Sequence, residues 1–303
     1  MRNVKSEKDV IRMPFFHRIA FSLAWRGLRG SQYYWAILGR IQQAKYSQKY
    51  QLENGFPIEY DPDDWTSRTI YQGTYERSLL KFLNQLDCQS HVIDVGANIG
   101  VTLWHGMQKS ASGSYWAFEP ASEPYRKLSM LCSYLPNTGI AFREALGKSE
   151  GKAKLFGVNN SKHSGLATLR PMSNNQNLDF EEVSVTTLDQ VVGNIEIQGA
   201  VNLLKIDVEG LEPEVLSGSK MLILSGRVEV IIIEVSPELV DLDYLSDIYE
   251  WTKAGYDWFE LYEKGALVRK VQVKKVEFGD ALSSTKQWNL IIVKKDLELK
   301  SIK

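Results

Sequence analysis

The stretch HVIDVGANIG, residues 91–100, joins an apolar β-branched run to a glycine-bracketed turn, and the residues from Val101 to Lys109 then take up helical spacing. A strand that stops near Val95, turns through Gly96 and Gly100 and enters a helix is a building unit of a layered α/β sheet. Glycine at both ends lets the backbone turn tightly and come close to a ligand. The turn also aims backbone N–H groups and a helix N-terminus at whatever binds, which is the chemistry of a nucleotide-cofactor cradle. Asp94 sits at the strand's carboxyl end and Asn98 inside the turn, where either could equally cap the helix that follows. The pattern is not the G-x-G-x-x-G of a dinucleotide fold, because the second glycine comes four residues after the first.

Two other strand ends add polar chemistry. YWAFEP places Glu119 at the end of a second apolar run, 25 residues after Asp94, where an acid can accept hydrogen bonds from both hydroxyls of a ribose. LLKIDVEG, residues 203–210, is a third buried run whose end carries Lys205, Asp207 and Glu209. Ionisable groups gathered at one strand mouth suggest a working site. A structural ion pair between Lys205 and one of the acids is the competing reading.

Strands are expected near 91–95, 114–118, 140–145, 201–207 and 228–235, with helices near 100–109, 122–134, 187–193, 212–224 and 241–254. Such alternation implies a mostly parallel sheet covered on both faces. The acidic, proline-marked IEYDPDD reads as a linker or loop, Thr74 to Leu86 as a helix, and the domain boundary falls near residue 65. Residues 1–64 are then a basic helical extension or cap, and 65–303 the main domain. Within it KAKLFGV and EEVSVTTL form a hairpin insertion at 150–186. Toward the C-terminus YDWFELY, LVRKVQVKKVEF and WNLIIVKK read as strands. Thr186 with Asp189 has the spacing of a capping box, so Asp189 is taken as structural.

DVGANIG, FEP, LDQVV, KIDVEGLEPEVLSG and IIIEV follow one another in an order that resembles the FkbM-type S-adenosylmethionine-dependent methyltransferases, over roughly residues 70–235. Tyr75-Glu76 is similar to a segment usual in that family. The resemblance implies a Rossmann-like class I methyltransferase fold: a mostly parallel seven-stranded sheet flanked by helices, closed by a last antiparallel strand for which WNLIIVKK is the candidate. It implies S-adenosylmethionine as cofactor, with Gly96, Asn98 and Gly100 shaping the turn around its amino-acid part, Asp94 near its ammonium or an ordered water, Glu119 on the ribose and Asp207 near the methyl group.

Methyl transfer to a hydroxyl asks the enzyme chiefly to align the nucleophile and take its proton. Asp207 is the preferred carboxylate for that step, with Glu209 in its place if the strand ends early. His163, on the insertion, is a loop imidazole that could act as general base or simply be solvated. His17, His91 and His105 are assigned no catalytic part. No resident metal is required, although Asp207, Glu209 and Glu234 would offer a divalent ion three oxygens. The expected acceptor is a hydroxyl of a sugar, glycan or natural product, and the tryptophans, eight in all, add a faint carbohydrate hint. A dinucleotide-dependent oxidoreductase and a non-catalytic nucleotide-binding scaffold are the alternatives.

Hydrophobic residues at 44% and charged ones at 24% describe an ordinary globular chain, and two cysteines give no disulfide framework. No signal-peptide pattern or bilayer-length apolar run is present, so a cytoplasmic location is expected. The charge is uneven: residues 1–50 hold ten Lys or Arg against two acids, in a chain whose net charge is −1. The favoured reading is a helical cap with a solvated basic face; contact with an anionic membrane is the other, and nucleic-acid binding is not expected.

Overall fold

Four central strands are apolar on both faces, which is what a parallel sheet under helices on each side demands. The computed structural model describes residues 10–41, 48–52, 54–84, 91–107, 113–134, 139–158, 168–169, 179–195, 199–239 and 241–297. The chain forms two compact units: Met1–Ser78 with Asn160–Gly165 and Glu263–Val271, and Leu79–Asn159 with Leu166–Tyr262 and Gln272–Lys303.

The first unit holds β1 (Ile11–Arg12), α1 (Phe15–Trp25), α2 (Ser31–Ile41), β2 (Gln48–Gln51), β3 (Pro57–Tyr60) and α3 (Trp65–Gln72). Its three strands pair in the order β1-β2-β3, so the segment expected as a linker instead supplies an edge strand. Asp64 then caps α3, accepting from the Ser67 N–H at 2.8 Å, and Gly73 ends that helix in the left-handed region at φ 72°. The interior is aromatic: the Tyr71 ring meets those of His17, Trp35, Tyr50 and Tyr60, and its hydroxyl lies 2.8 Å from His17 Nδ1.

The larger unit begins within α4 (Arg77–Leu83) and continues through β4 (His91–Val95), α5 (Val101–Met107), β5 (Ser114–Phe118), α6 (Ser122–Tyr134), β6 (Gly139–Phe142), β7 (Ala145–Leu146), β8 (Gly151–Phe156), β9 (Phe180–Thr186), α7 (Leu188–Asn194), β10 (Val201–Ile206), α8 (Glu212–Ser217), α9 (Lys220–Leu224), β11 (Val228–Val235), α10 (Tyr244–Thr252), β12 (Tyr256–Lys264), β13 (Lys270–Lys275), α11 (Phe278–Leu282) and β14 (Trp288–Lys294), except that the end of β12 from Glu263 and the start of β13 to Val271 count with the first unit. The main sheet has eight strands in the order β13-β12-β14-β11-β10-β4-β5-β6, one more than expected, because β13 adds an edge. WNLIIVKK supplies the expected last antiparallel strand: β14 inserts between β11 and β12, antiparallel to both, and Leu290 to Ile292 are fully buried there.

The expected third strand divides. Gly139–Phe142 joins the main sheet beside β5, while Ala145–Leu146 pairs with β9 in a separate three-stranded sheet whose β8 and β9 are antiparallel. The expected helix over 212–224 also divides at Gly218, where a Cβ would stand 2.0 Å from the Gly147 carbonyl oxygen. Asp189 caps the second piece, accepting from the Met221 and Leu222 N–H groups at 2.9 and 2.8 Å. Thr187, not Thr186, caps α7, accepting from the Gln190 N–H at 3.2 Å. No helix among the described residues is long and apolar enough to cross a membrane.

Candidate functional site

Strand register alone brings the singled-out acids to one edge. β4 pairs in parallel with β5, with Val95 opposite Phe118, and with β10, where Asp94 faces Lys205 and Val95 faces Ile206. β10 pairs in parallel with β11, with Ile206 opposite Ile233. The residues that follow, Glu119, Asp207 and Glu234, therefore emerge beside Asp94 at the carboxyl ends of four neighbouring strands. In open parallel sheets that edge is where ligands bind.

The turn after β4 is tight. Gly96, Asn98 and Gly100 have φ of 79°, 49° and 86°, and the Gly96 and Ala97 N–H groups both donate to the Phe118 carbonyl at 3.0 Å. What the two glycines leave room for is protein. A Cβ at Gly96 would lie 1.8 Å from the Asp207 carbonyl oxygen, and one at Gly100 would lie 2.6 Å from Leu131 Cδ2 and 2.9 Å from Leu128 Cδ1. Close approach of β10 and α6, rather than of a ligand, is thus the local reason for both.

Glu119 ties the turns together. One carboxylate oxygen accepts from the Asn98 N–H at 2.9 Å and the other from the Ala121 N–H at 2.8 Å. Each oxygen keeps a second lone pair for another donor. Burial pushes this carboxyl up to about 7, opposed by those two N–H bonds and reinforced by Asp94 and Asp207. Asp94 is 1% exposed and neither oxygen has a hydrogen-bond partner among the described residues; the Asn98 Oδ1 is likewise buried and unpartnered. Burial raises Asp94 to about 6, Lys205 pulls it down and Asp207 pushes it up. Buried acceptors without donors, at the mouth of a cradle, suit a ligand that brings N–H or O–H groups.

Lys205 is buried, with Nζ 2.8 Å from Asp207 Oδ2 and 3.9 Å from Asp94 Oδ1, an ion-paired arrangement that compensates clustered acids. β10 ends at Ile206, and Glu209 has a left-handed φ of 53°. Asp207, Glu209 and Glu234 come together, each offering a carboxylate oxygen within 4.8 Å of the others. His163 lies outside the described residues. His91 starts β4 at the opposite end from Asp94 and its ring lies 5.2 Å from that of Trp116. His105 is buried on α5 and held neutral, its value lowered to about 4 by desolvation.

One contributor escapes sequence reasoning. Glu212, 1% exposed, accepts from the Val208 N–H at 3.1 Å and the Gly210 N–H at 3.2 Å, which pins the loop carrying Glu209. Burial raises its carboxyl, and its second oxygen, like the Tyr244 hydroxyl, has no hydrogen-bond partner among the described residues. At the start of α8 it reads in sequence as an ordinary acid on a helix dipole; the E-G-x-E spacing that folds it back on its own loop was the signal available.

A model of the methyltransferase FkbM domain matches residues 94–257. The comparison with curated proteins finds no match. Among solved structures the chain is similar to an rRNA methylase from Streptococcus thermophilus (12% identity, 72% of this chain and 95% of that one covered, TM-score 0.37). It is similar to an O-methyltransferase from Bacillus cereus in complex with SAH (10%, 72% and 80%, 0.39). A third is the precorrin-6y C5,15-methyltransferase from Geobacter metallireducens (11%, 72% and 89%, 0.35).

Proposed function

The chain belongs to the FkbM methyltransferase family, and on that premise we propose that it transfers a methyl group from S-adenosylmethionine to a hydroxyl of a sugar, glycan or natural-product acceptor at the carboxyl edge of β5, β4, β10 and β11. The observation that carries this reading is the buried Asp94 carboxylate, which has no hydrogen-bond partner among the described residues, at the same sheet edge as the Asn98 turn and Glu119. In the proposal Glu119 accepts the two ribose hydroxyls through its remaining lone pairs. Asp94, with Asn98, faces the ammonium end, and Gly96 and Gly100 keep the turn closed.

When bound, the cofactor supplies an electrophilic methyl group on a sulfonium. Asp207 would accept the proton of the acceptor hydroxyl at a carboxylate oxygen. Lys205, with Nζ 2.8 Å from Asp207 Oδ2, holds that carboxylate in place for the transfer. Glu209 orients the acceptor from the same mouth, and His163 is the other candidate base. No resident metal is part of the proposal, since Lys205 already offsets part of the acidic charge; dialysis against a chelator is expected to leave transfer intact. A divalent ion held by Asp207, Glu209 and Glu234 is the reading that chelator-sensitive transfer would restore.

The test is transfer of labelled methyl from S-adenosylmethionine to a panel of saccharides and hydroxylated natural products. Asp207→Asn is expected to abolish turnover while leaving S-adenosylhomocysteine affinity within a few-fold. Unchanged turnover would remove Asp207 from the chemistry, and labelling confined to nitrogen or carbon would overturn the hydroxyl assignment.

A further inference from the structure

Helices α1 and α2 turn one face inward together: the His17 and Trp35 rings lie 5.4 Å apart and both reach Tyr71, while Ala20, Phe21 and Ala24 complete the buried side of α1. A helix with one buried apolar face ordinarily presents polar residues on the other. These two do not. α1 presents Phe15, Phe16 and Ile19, α2 presents Tyr33, Tyr34 and Ile37, and β1 adds Ile11, each between 40% and 69% exposed. The i, i+1, i+4 spacing recurs in both helices, so the exposed apolar residues lie along one side of each.

The charges within this segment have a single sign. Residues 10–41 contain Arg12, Arg18, Arg26, Arg29 and Arg40 and no aspartate or glutamate, and Arg12, Arg26 and Arg29 are exposed. A second copy of this surface would set arginine against arginine with no acid in the segment to answer it. A nucleic acid would satisfy the arginines but would give Ile11, Ile19 and Ile37 no apolar medium to enter. The interface of an anionic bilayer meets both needs: acyl chains for Phe and Ile, the headgroup layer for the Tyr hydroxyls, and acidic phosphates for the guanidinium groups.

We propose that the outer faces of α1 and α2 form a docking surface for anionic phospholipid, with Phe15, Phe16 and Ile19 entering the acyl boundary and Arg12, Arg26 and Arg29 pairing with headgroups. The solvated basic cap favoured from the sequence leaves the aromatic residues on these faces without a role.

The test is co-sedimentation of the full-length chain with vesicles of phosphatidylcholine alone and of phosphatidylcholine mixed with phosphatidylglycerol. Retention is expected to be about tenfold or more greater on the anionic vesicles and to fall with added salt. F15S/F16S/I19S and R12Q/R26Q/R29Q are each expected to lower it about tenfold, with melting temperature and S-adenosylhomocysteine affinity as folding controls. If the first variant fails to fold, the arginine set decides alone. Equal retention on both vesicles, no retention, or retention unchanged in the folded variants would overturn the proposal. So would self-association or RNA binding that the same substitutions abolish in a protein that ignores vesicles.

Discussion

Acid should weaken cofactor binding steeply, and the burial of two carboxyls sets how steeply. Without ligand, Glu119 is held near about 7 and Asp94 near about 6, each above its ordinary value because burial disfavours the ionised form. In the proposed complex, ribose hydroxyls against Glu119 and an ammonium near Asp94 favour that ionised form, so binding should expel protons. At about pH 5.5 a carboxyl of pKa about 7 is only about 3% ionised and one of pKa about 6 about a quarter ionised, so affinity should be lower than at about pH 8 by roughly thirtyfold from Glu119 alone and about a hundredfold from both. The same shifts act oppositely on the ligand-free protein. Because the folded values lie above the unfolded 3.8 and 4.5, the stability these groups contribute is fully present below about pH 4 and is lost as pH rises through about 6 and 7. Melting temperature without ligand should therefore fall across that window while the stabilisation by S-adenosylhomocysteine grows. Titration calorimetry at several pH values, in buffers of differing ionisation enthalpy, reads both the affinity and the protons released. Glu119→Gln should bind more weakly at about pH 8 and lose the steeper part of the pH dependence. An affinity constant within about twofold from about pH 5.5 to 8, or net proton uptake, would refute the reasoning.

Gly96→Ala must relieve a Cβ 1.8 Å from a backbone oxygen at φ 79°, so it should cost about 3 kcal/mol or more and melt well below Gly226→Ala, where φ is 68° and no atom lies within 4 Å. Equal melting temperatures would show that β10 yields freely. Asp189→Ala removes both cap bonds to α9 and should cost about 1–2 kcal/mol, read as a thermal shift of a few degrees with cofactor affinity unchanged. Glu212→Gln, which keeps an acceptor for the Val208 and Gly210 N–H groups, should retain turnover, whereas Glu212→Ala should lower kcat more than it changes S-adenosylhomocysteine affinity; the reverse ordering would detach Glu212 from the placement of Glu209.

The strands at the heart of the sheet were legible because burial on two faces leaves nothing for polar residues to do: VIDV, YWAF, LLKI and VIII are nearly unbroken apolar runs. Position within a strand was legible too, which is why Asp94, Glu119, Asp207 and Glu234 could be singled out before their register was known. Contacts made across sequence distance were hidden. Nothing local in LSGSK announces that the Gly147 carbonyl will press on Gly218 and split a helix, or that Asp189 will leave its own helix to cap the second piece. Gly96 and Gly100 were legible as a turn, but their neighbours, the Asp207 carbonyl and Leu131, come from elements 30 to more than 100 residues away. IEYDPDD carried the composition of a linker, yet its first residues pair as an edge strand, where proline and charge are well tolerated.

A crystal structure of the full-length chain with S-adenosylhomocysteine tests most directly whether the bend after Val95, the carboxylate of Glu119 and the tip of β10 share one ligand. The ribose hydroxyls should lie within hydrogen-bond distance of Glu119, the amino-acid end should meet Asp94 and Asn98, and the sulfur should face Asp207. Density for the ligand elsewhere, or Glu119 and Asp207 on opposite sides of an intervening wall of side chains, would contradict the assignment.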